Sequence, residues 1–399
     1  MTHSLRARSG LIIILASLVA FGPLSIDMYL PSLPDIAQDL GAAAEHIKRT
    51  ITVFLIGFSV GMLLYGPLSD RFGRRQLLLG GIAAYLAATA GCMWAFSADQ
   101  LLGWRLLQAL GGASASVLAR AVVRDVYPMS EAAKILSLMH IITMVATIAA
   151  PVLGSLLVLW LGWRAIFGFL FAYALLCWLL VWFKVPETLA PERRLTSLKQ
   201  VFMAYYHIAT DRRGLSYIVC MGMSFAAMFV YITASPFVYI DYFGMTPQQY
   251  ALLFGLNIFG IMAMTFVNAA VVGRVGAQKM IQFGASMVLL AGLALGLMGY
   301  SGWGGLWGIV VGLWLLVAMT GTLSANCIAQ LMGLFPQQAG AAAGLAVATQ
   351  FGLGALFSLM VSQFVAVDPQ PMVGMIAVAS VLCFGAMRLT RRPEADGVS

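Results

Sequence analysis

Apolar residues in this chain do not alternate with polar ones. They gather in long runs broken by short polar stretches, at about 10–31, 50–68, 76–96, 101–121, 135–160, 163–184, 215–240, 249–272, 278–300, 303–330, 340–364 and 370–388. A helix rises about 1.5 Å per residue, so roughly 20 apolar residues cross the hydrocarbon core of a bilayer. In lipid each segment has to satisfy its own backbone hydrogen bonds, which makes every run a helix. The pattern predicts an all-α polytopic membrane protein with twelve transmembrane helices.

The longest polar interruption runs from Pro186 to Arg213 and divides the runs six and six. We expect an N-terminal six-helix bundle over 1–190, a cytoplasmic linker over 191–213 and a C-terminal six-helix bundle over 214–399. The linker is basic, with Arg193, Arg194, Lys199, Arg212 and Arg213. Basic residues mark the cytoplasmic side. With the N-terminus inside, that side holds Arg6, Arg8, Arg71, Arg74, Arg75, Arg120, Arg124, Lys134, the linker cluster, Arg274, Lys279, Arg388, Arg391 and Arg392. The other side holds only Lys48, Arg49 and Arg164. The asymmetry implies an even number of spans and both termini in the cytoplasm of a bacterial inner (plasma) membrane. Ala42-Ala43-Ala44 formally fits a signal cleavage site. The run before it is longer than a secretory signal and contains Asp27, so it reads as a retained first span.

Composition narrows the function. The chain of 399 residues is 61% hydrophobic and 10% charged, against about 25% charged in soluble domains. The net charge of +8 is dispersed over short loops, which argues against a nucleic-acid partner. The five cysteines (Cys92, Cys177, Cys220, Cys327, Cys383) lie scattered in apolar runs without CxxC spacing, so neither a disulfide framework nor a metal site is expected. No HExxH, nucleophile elbow, paired carboxylates in one layer or phosphate-cradling loop is present, which argues against an enzyme.

Two ionisable residues stand inside runs. Asp27 lies a few residues from the outer end of span one, and Arg105 about as far from the outer end of span four. They share a layer one to two turns deep and could pair. Intramembrane acids face cavities or cations and mark ion pathways; the bland alternative is a structural ion pair or a cap near Pro31. A carboxylate whose surroundings alternate can load and release a proton.

After span two the chain reads Gly66-Pro67-Leu68-Ser69-Asp70-Arg71-Phe72-Gly73-Arg74-Arg75. Charges packed this tightly can latch neighbouring helix ends, with Gly73 and Pro67 allowing a sharp turn. The stretch resembles the signature loop of the major facilitator superfamily at every defined position. That resemblance implies the two-bundle major facilitator fold and a loop that stabilises the outward-open state, with Asp125 as partner of Arg71 or Arg74. Gly273-Arg274-Val275-Gly276 is a degenerate echo in the second half. The run from Arg105 through Gln108, Ala109, Gly111 and Gly112 resembles the span-four motif of proton-coupled exporters, with Ala109 replacing a glycine. Ala150-Pro151-Val152-Leu153-Gly154-Ser155 resembles the antiporter motif of span five, with Ala150 and Ser155 replacing glycines.

The stretch Pro23-Leu24-Ser25-Ile26-Asp27-Met28-Tyr29-Leu30-Pro31-Ser32-Leu33-Pro34 is similar to the bicyclomycin-resistance (Bcr/CflA) family of drug/proton antiporters. So are Arg124-Asp125-Val126-Tyr127-Pro128, Glu187-Thr188-Leu189-Ala190-Pro191-Glu192-Arg193-Arg194 and Ser235-Pro236-Phe237-Val238-Tyr239-Ile240. The resemblance implies multidrug efflux and antibiotic resistance by proton antiport. Asp27 and Arg105 would carry the coupling, with no cofactor beyond the proton gradient. The partners would be a small-molecule substrate, protons and the lipid bilayer, and the protein a monomer. A metabolite exporter or facilitator of the same fold, for an amino acid such as cysteine, a dipeptide or a sugar, is the competing expectation.

Polar candidates for a substrate cavity are Tyr29, Gln108, His140, Tyr231, Asn257, Asn326 and Gln350, with Met139, Phe225, Met228 and Phe229 as apolar wall. Gly57/Gly61 in span two and Gly340/Gly344 in span eleven have GxxxG spacing. They suggest a sliding seam between the halves, or static packing.

Overall fold

The structure, a computed structural model, describes residues 2–190, 198–364 and 368–390. Arg193, Arg194, Arg391 and Arg392, and the side chains of Arg6 and Arg8, lie outside the described residues. Among the described residues, 12 helices are long and apolar enough to cross a membrane. Spans one to six are Gly10–Asp39, Ala44–Phe72, Arg74–Met93, Ala98–Val126, Lys134–Leu161 and Arg164–Lys184; spans seven to twelve are Arg212–Tyr242, Pro247–Val275, Ala277–Ser301, Gly305–Leu334, Pro336–Ser362 and Gln370–Leu389. No strand occurs among the described residues. Each apolar run has its helix, and most helices continue beyond the run into the polar layer.

Span one is not one continuous α-helix. It stops at Val19, resumes over Phe21–Asp27, passes through a 3₁₀ turn at Leu30–Ser32 and ends as Leu33–Asp39. Pro31 has no N–H for the Asp27 carbonyl, and Pro34 has none for Leu30. The Tyr29 N–H turns to the Ile26 carbonyl instead of that of Ser25, so the Ser25 carbonyl loses its helical donor. Irregular backbone of this kind persists in a membrane only where it is buried in protein, and Ser25, Met28, Tyr29 and Leu30 are all buried.

Spans two and three are joined by a single residue, Gly73, at φ +103°. A side chain there would be strained, so the turn depends on glycine. Pro67 takes no part in it, because the helix runs through Pro67 to Phe72. Gly276, at φ +89°, joins spans eight and nine in the same way. The degenerate echo in sequence is therefore a repeated backbone device.

By contacts the chain forms two compact units. One holds Met1–Lys199 with Ile232–Ile258 and Ser358–Val367, the other Gln200–Tyr231, Phe259–Phe357 and Asp368–Ser399. In the first, span four packs against spans two and three. Leu15, Leu18, Phe21, Ile82, Tyr85, Leu118, Val122, Cys177 and Val181 contribute to one core. The contact of spans two and four is close because small residues line it. A Cβ at Gly57 would meet the Leu106 carbonyl and Ala109, and one at Gly61 would overlap Ala113. The span-two GxxxG thus serves packing within the first bundle. A Cβ at Gly340 would have nothing within 4 Å, and one at Gly344 would meet Tyr205 at 3.9 Å. Large apolar side chains such as Trp160, Phe183, Leu252, Leu297 and Trp307 are exposed, as lipid-facing residues are.

Candidate functional site

Arg105 is the largest fully buried side chain of the described residues. A buried guanidinium is costly, and span one supplies part of the compensation. Nη1 donates to the Ser25 carbonyl at 2.9 Å, the group freed by the helix break, and to Gln108 Oε1 at 2.7 Å. The rings of Tyr29 and Phe54 lie 4.6 and 4.4 Å from the guanidinium carbon, a cation–π arrangement. Gln108 Nε2 donates to the Thr89 hydroxyl, which donates to the Tyr85 carbonyl. The Ser25 hydroxyl donates to the Phe21 carbonyl, so Tyr85 is the donor in the 2.7 Å Ser25–Tyr85 bond. Tyr29 bonds Thr50 at 3.0 Å. Ser25, Thr50, Tyr85 and Thr89 were not singled out by sequence, since hydroxyls in spans are common and only the fold shows which ones converge.

Nε and Nη2 of Arg105 have no hydrogen-bond partner among the described residues. Together they form the side-on edge of the guanidinium, whose fork matches the two oxygens of a carboxylate. Asp27 lies two residues beyond Ser25 and is 5% exposed. The structure brings Asp27 and Arg105 into one bundle but does not pair them: no ion pair joins them among the described residues. Span five closes on this segment through Gly154, where a Cβ would collide with the Met28 carbonyl. Pro151 lies within the same helix.

At the Gly73 end, Arg74 organises the signature loop. Its Nε donates to Asp125 Oδ2 at 3.0 Å, and its other nitrogens reach Asp70 and Ser69. Ser69 in turn donates to the Gly66 carbonyl. Arg71 is exposed over the Phe72 ring, so the partner of Asp125 is Arg74. Arg75 donates to the Trp182 carbonyl at 2.7 Å. Glu187 completes the group. Its carboxylate accepts the first N–H groups of span three, from Arg74 at 2.9 Å and Arg75 at 3.2 Å, and those of Thr188 and Leu189. The Thr188 hydroxyl donates to Asp125. The stretch leading from span six into the linker therefore caps span three, a role hidden in sequence because the partners stand 113 positions apart.

Partial burial alone would raise the Glu187 pKa, but the four backbone N–H groups outweigh it and hold the carboxyl below its ordinary value. Because the folded pKa is depressed, this contribution is full above the unfolded value of about 4.3 and is lost as pH falls through the folded value. We expect Glu187→Gln to speed amide exchange at Arg74 and Arg75 several-fold at neutral pH, as loss of a charged cap costs about 1 kcal/mol. After correction for intrinsic rates, the wild type should approach the variant only below about pH 4. Equal exchange in both proteins at neutral pH would show that Glu187 does not cap the span.

The second half lacks these charges at Gly276. There Gln278 accepts from Tyr217 at 2.9 Å and donates to Thr390 at 2.8 Å. At the Lys48 end, Lys48, Arg49 and Arg164 are all engaged. Lys48 donates to the Phe364 carbonyl at 3.4 Å and Arg49 to Gln363 at 3.2 Å. Arg164 pairs with Asp39 at 2.7 Å. One turn beyond Lys48, the Ser358 hydroxyl bonds both Thr52 and Thr233 at 2.8 Å, tying spans two, seven and eleven.

Of the remaining candidates, Asn326 donates to Asn268 at 2.7 Å and to the Thr322 carbonyl. Gln350 donates to Ser324 at 3.1 Å. Asn257 is buried and donates to the Leu253 carbonyl, and Tyr231 is buried. His140 is exposed on span five. Phe225, Phe229 and Phe351 form an aromatic cluster, with centroids 4.9 to 6.2 Å apart.

The family profile described as Major Facilitator Superfamily matches residues 15–359. A bicyclomycin resistance protein homolog of Haemophilus influenzae is 30% identical over 94% of each chain. A chloramphenicol resistance protein of Pseudomonas aeruginosa is 32% identical over 71% of this chain and 67% of its own. Among solved structures, the nucleoside transporter NupG superposes with a TM-score of 0.77 at 14% identity, covering 96% of this chain and all of its own. A D-xylose-proton symporter superposes with a TM-score of 0.71 at 18% identity, covering 94% and 97%. At these identities the structural likenesses speak for the fold alone.

Proposed function

Because the chain belongs to the Major Facilitator Superfamily, and so is a multi-pass membrane transporter of small molecules rather than an enzyme, we propose that it exports drugs of the bicyclomycin type in exchange for protons. The relatives named for drug resistance support export. The observation that carries proton coupling is the pair of ionisable groups buried in one bundle: Asp27, which is in no ion pair among the described residues, and Arg105 with its two free donors. Asp27 takes a proton from one side of the membrane. Its deprotonated carboxylate meets the Arg105 fork when the bundle rearranges, and substrate competes with that pairing.

Tyr29 and Gln108, already joined to Arg105, would take part in substrate binding, and Asn257, Tyr231 and Asn326 are further candidates for it. The Arg74–Asp125–Asp70 network would hold the outward-open state. In this reading the proton gradient is the sole energy source, no cofactor takes part, the protein works as a monomer and both termini are cytoplasmic. The free fork of Arg105 also favours one second reading, export of a carboxylate-bearing metabolite such as an amino acid or dipeptide.

The test is substrate-induced proton release from purified protein in detergent, wild type beside Asp27→Asn, with bicyclomycin, a small drug panel, cysteine and a dipeptide. Release that vanishes in the variant is expected. Release that persists moves the coupling proton elsewhere, with His140 next. Binding without release from the wild type would turn the reading to a facilitator, and release by cysteine or the dipeptide alone would favour the metabolite.

A further inference from the structure

The connection between the two halves contains a helix that the apolar runs do not show, Leu198–Thr210. At 13 residues it is too short to span a bilayer, which takes about 20. One face is used by the protein. Ile208 is fully buried, and the His207 ring meets Phe335 edge-on at 5.7 Å. The other face is exposed yet apolar: Phe202, Met203 and Tyr206 are 47%, 58% and 68% accessible. Lys199 precedes that face at helical spacing, and Arg212 and Arg213 follow the helix across Asp211 at the start of span seven; all three are exposed. No acidic residue lies along the helix. The nearest, Asp211, is occupied with the Gly214 N–H at 2.7 Å. The helix gives way to span seven after that single residue, so its position is set at the level where a span leaves the membrane.

An apolar centre between cationic ends, without acids, at the edge of a span fits the boundary between lipid headgroups and acyl chains. We propose that this helix docks its Phe202–Met203–Tyr206 face into the membrane interface and that Lys199, Arg212 and Arg213 bind anionic phospholipid headgroups. The aromatic and methionine side chains enter the acyl boundary while the cations meet phosphate oxygens. A soluble protein partner would need acidic complementarity to the same cations. The docking holds whichever substrate the transporter carries, so it stands or falls apart from the proton-coupling reading.

The experiment places bimane on Tyr206→Cys in the full chain, the five native cysteines being buried. The protein is reconstituted in nanodiscs of phosphatidylcholine with or without phosphatidylglycerol. Docking predicts quenching by brominated acyl chains and little quenching by aqueous iodide, most strongly with phosphatidylglycerol. Each basic side chain at an anionic surface is worth about a fivefold preference. Replacing Lys199, Arg212 and Arg213 by glutamine should therefore lower the docked fraction's ratio by about 100-fold with phosphatidylglycerol and much less without it. High salt applied to the unsubstituted cations should act in the same direction, which guards against a misfolded triple variant. Quenching by iodide and not by brominated lipid in both discs would overturn the proposal and leave the face to water or a soluble partner. Lipid quenching indifferent to phosphatidylglycerol and to salt would overturn the anionic-lipid assignment.

Discussion

Replacing Arg105 by methionine is expected to abolish proton-coupled transport while leaving stability nearly unchanged. The two effects separate because a buried cation is a poor stabiliser and a strong organiser. Removing it frees the Ser25 carbonyl and Gln108 Oε1, at about 1–3 kcal/mol for each unmatched group. Against that stands the desolvation of a guanidinium with two donors unmatched, itself several kcal/mol. Methionine fills similar space among Tyr29, Phe54 and Phe167. The balance is a thermal midpoint shifted by only a few degrees. Transport has no such compensation. Losing a charge-assisted interaction of about 3 kcal/mol in the coupled step lowers the rate by more than 100-fold. Arg105→Lys should fail almost as badly, since an ammonium has no side-on fork. Proteoliposomes with an imposed pH gradient and a thermal denaturation series measure the two quantities on one preparation. More than a tenth of wild-type transport in Arg105→Met would rule out a coupling role for this residue.

Gly154→Ala is the second large effect. The added methyl group would strike the Met28 carbonyl, a backbone atom in the break of span one that no rotamer change can move. Overpacking of this kind costs about 1–3 kcal/mol, and the segment displaced is the one that carries Asp27. We expect a lower thermal midpoint and a transport loss of tenfold or more. Gly80→Ala is the control. It lies in span three with nothing within 4 Å of a built Cβ, so it should be neutral or slightly stabilising. If the two variants behave alike, the resemblance of Gly154 to the antiporter motif has no basis in its contact with span one.

The spans were legible because lipid permits only closed hydrogen-bonding patterns, so run length alone predicts a helix. Gly73 and its echo Gly276 were legible for a similar reason, as a positive φ leaves little choice of residue. What escaped depended on direction and distance. GxxxG spacing says that a helix is approached closely but not by which neighbour, and it is span four that meets Gly57 and Gly61. Asp27 and Arg105 share a depth, yet depth does not orient a side chain, and the guanidinium turned to the carbonyl that the break set free. Pro31 was visible beside Asp27, but its consequence for the Ser25 carbonyl needed the hydrogen-bond ledger of the whole segment. Glu187 stood within a recognised stretch without a role, because its partners start a helix far away in the chain. The helix Leu198–Thr210 was read only as linker, its apolar residues being too few for a run.

The Ser358 hydroxyl, bonded to Thr52 and Thr233, gives the two ends of the first unit different chemistry. At the Gly73 end the ties run between full charges, and Asp70 and Asp125 are 35% and 21% exposed, within reach of mobile counterions. At the Lys48 end the ties of span two to spans seven and eleven are neutral hydroxyls and cations resting on neutral oxygens, which ionic strength scarcely touches, and the full-charge pair there, Arg164–Asp39, joins span six to the end of span one instead. Dissolved salt therefore loosens the Arg74 network and spares the ties that span two makes with spans seven and eleven. The ionic composition of the surrounding solution thereby becomes a selective bias on the charged latch, acting with no binding site of its own.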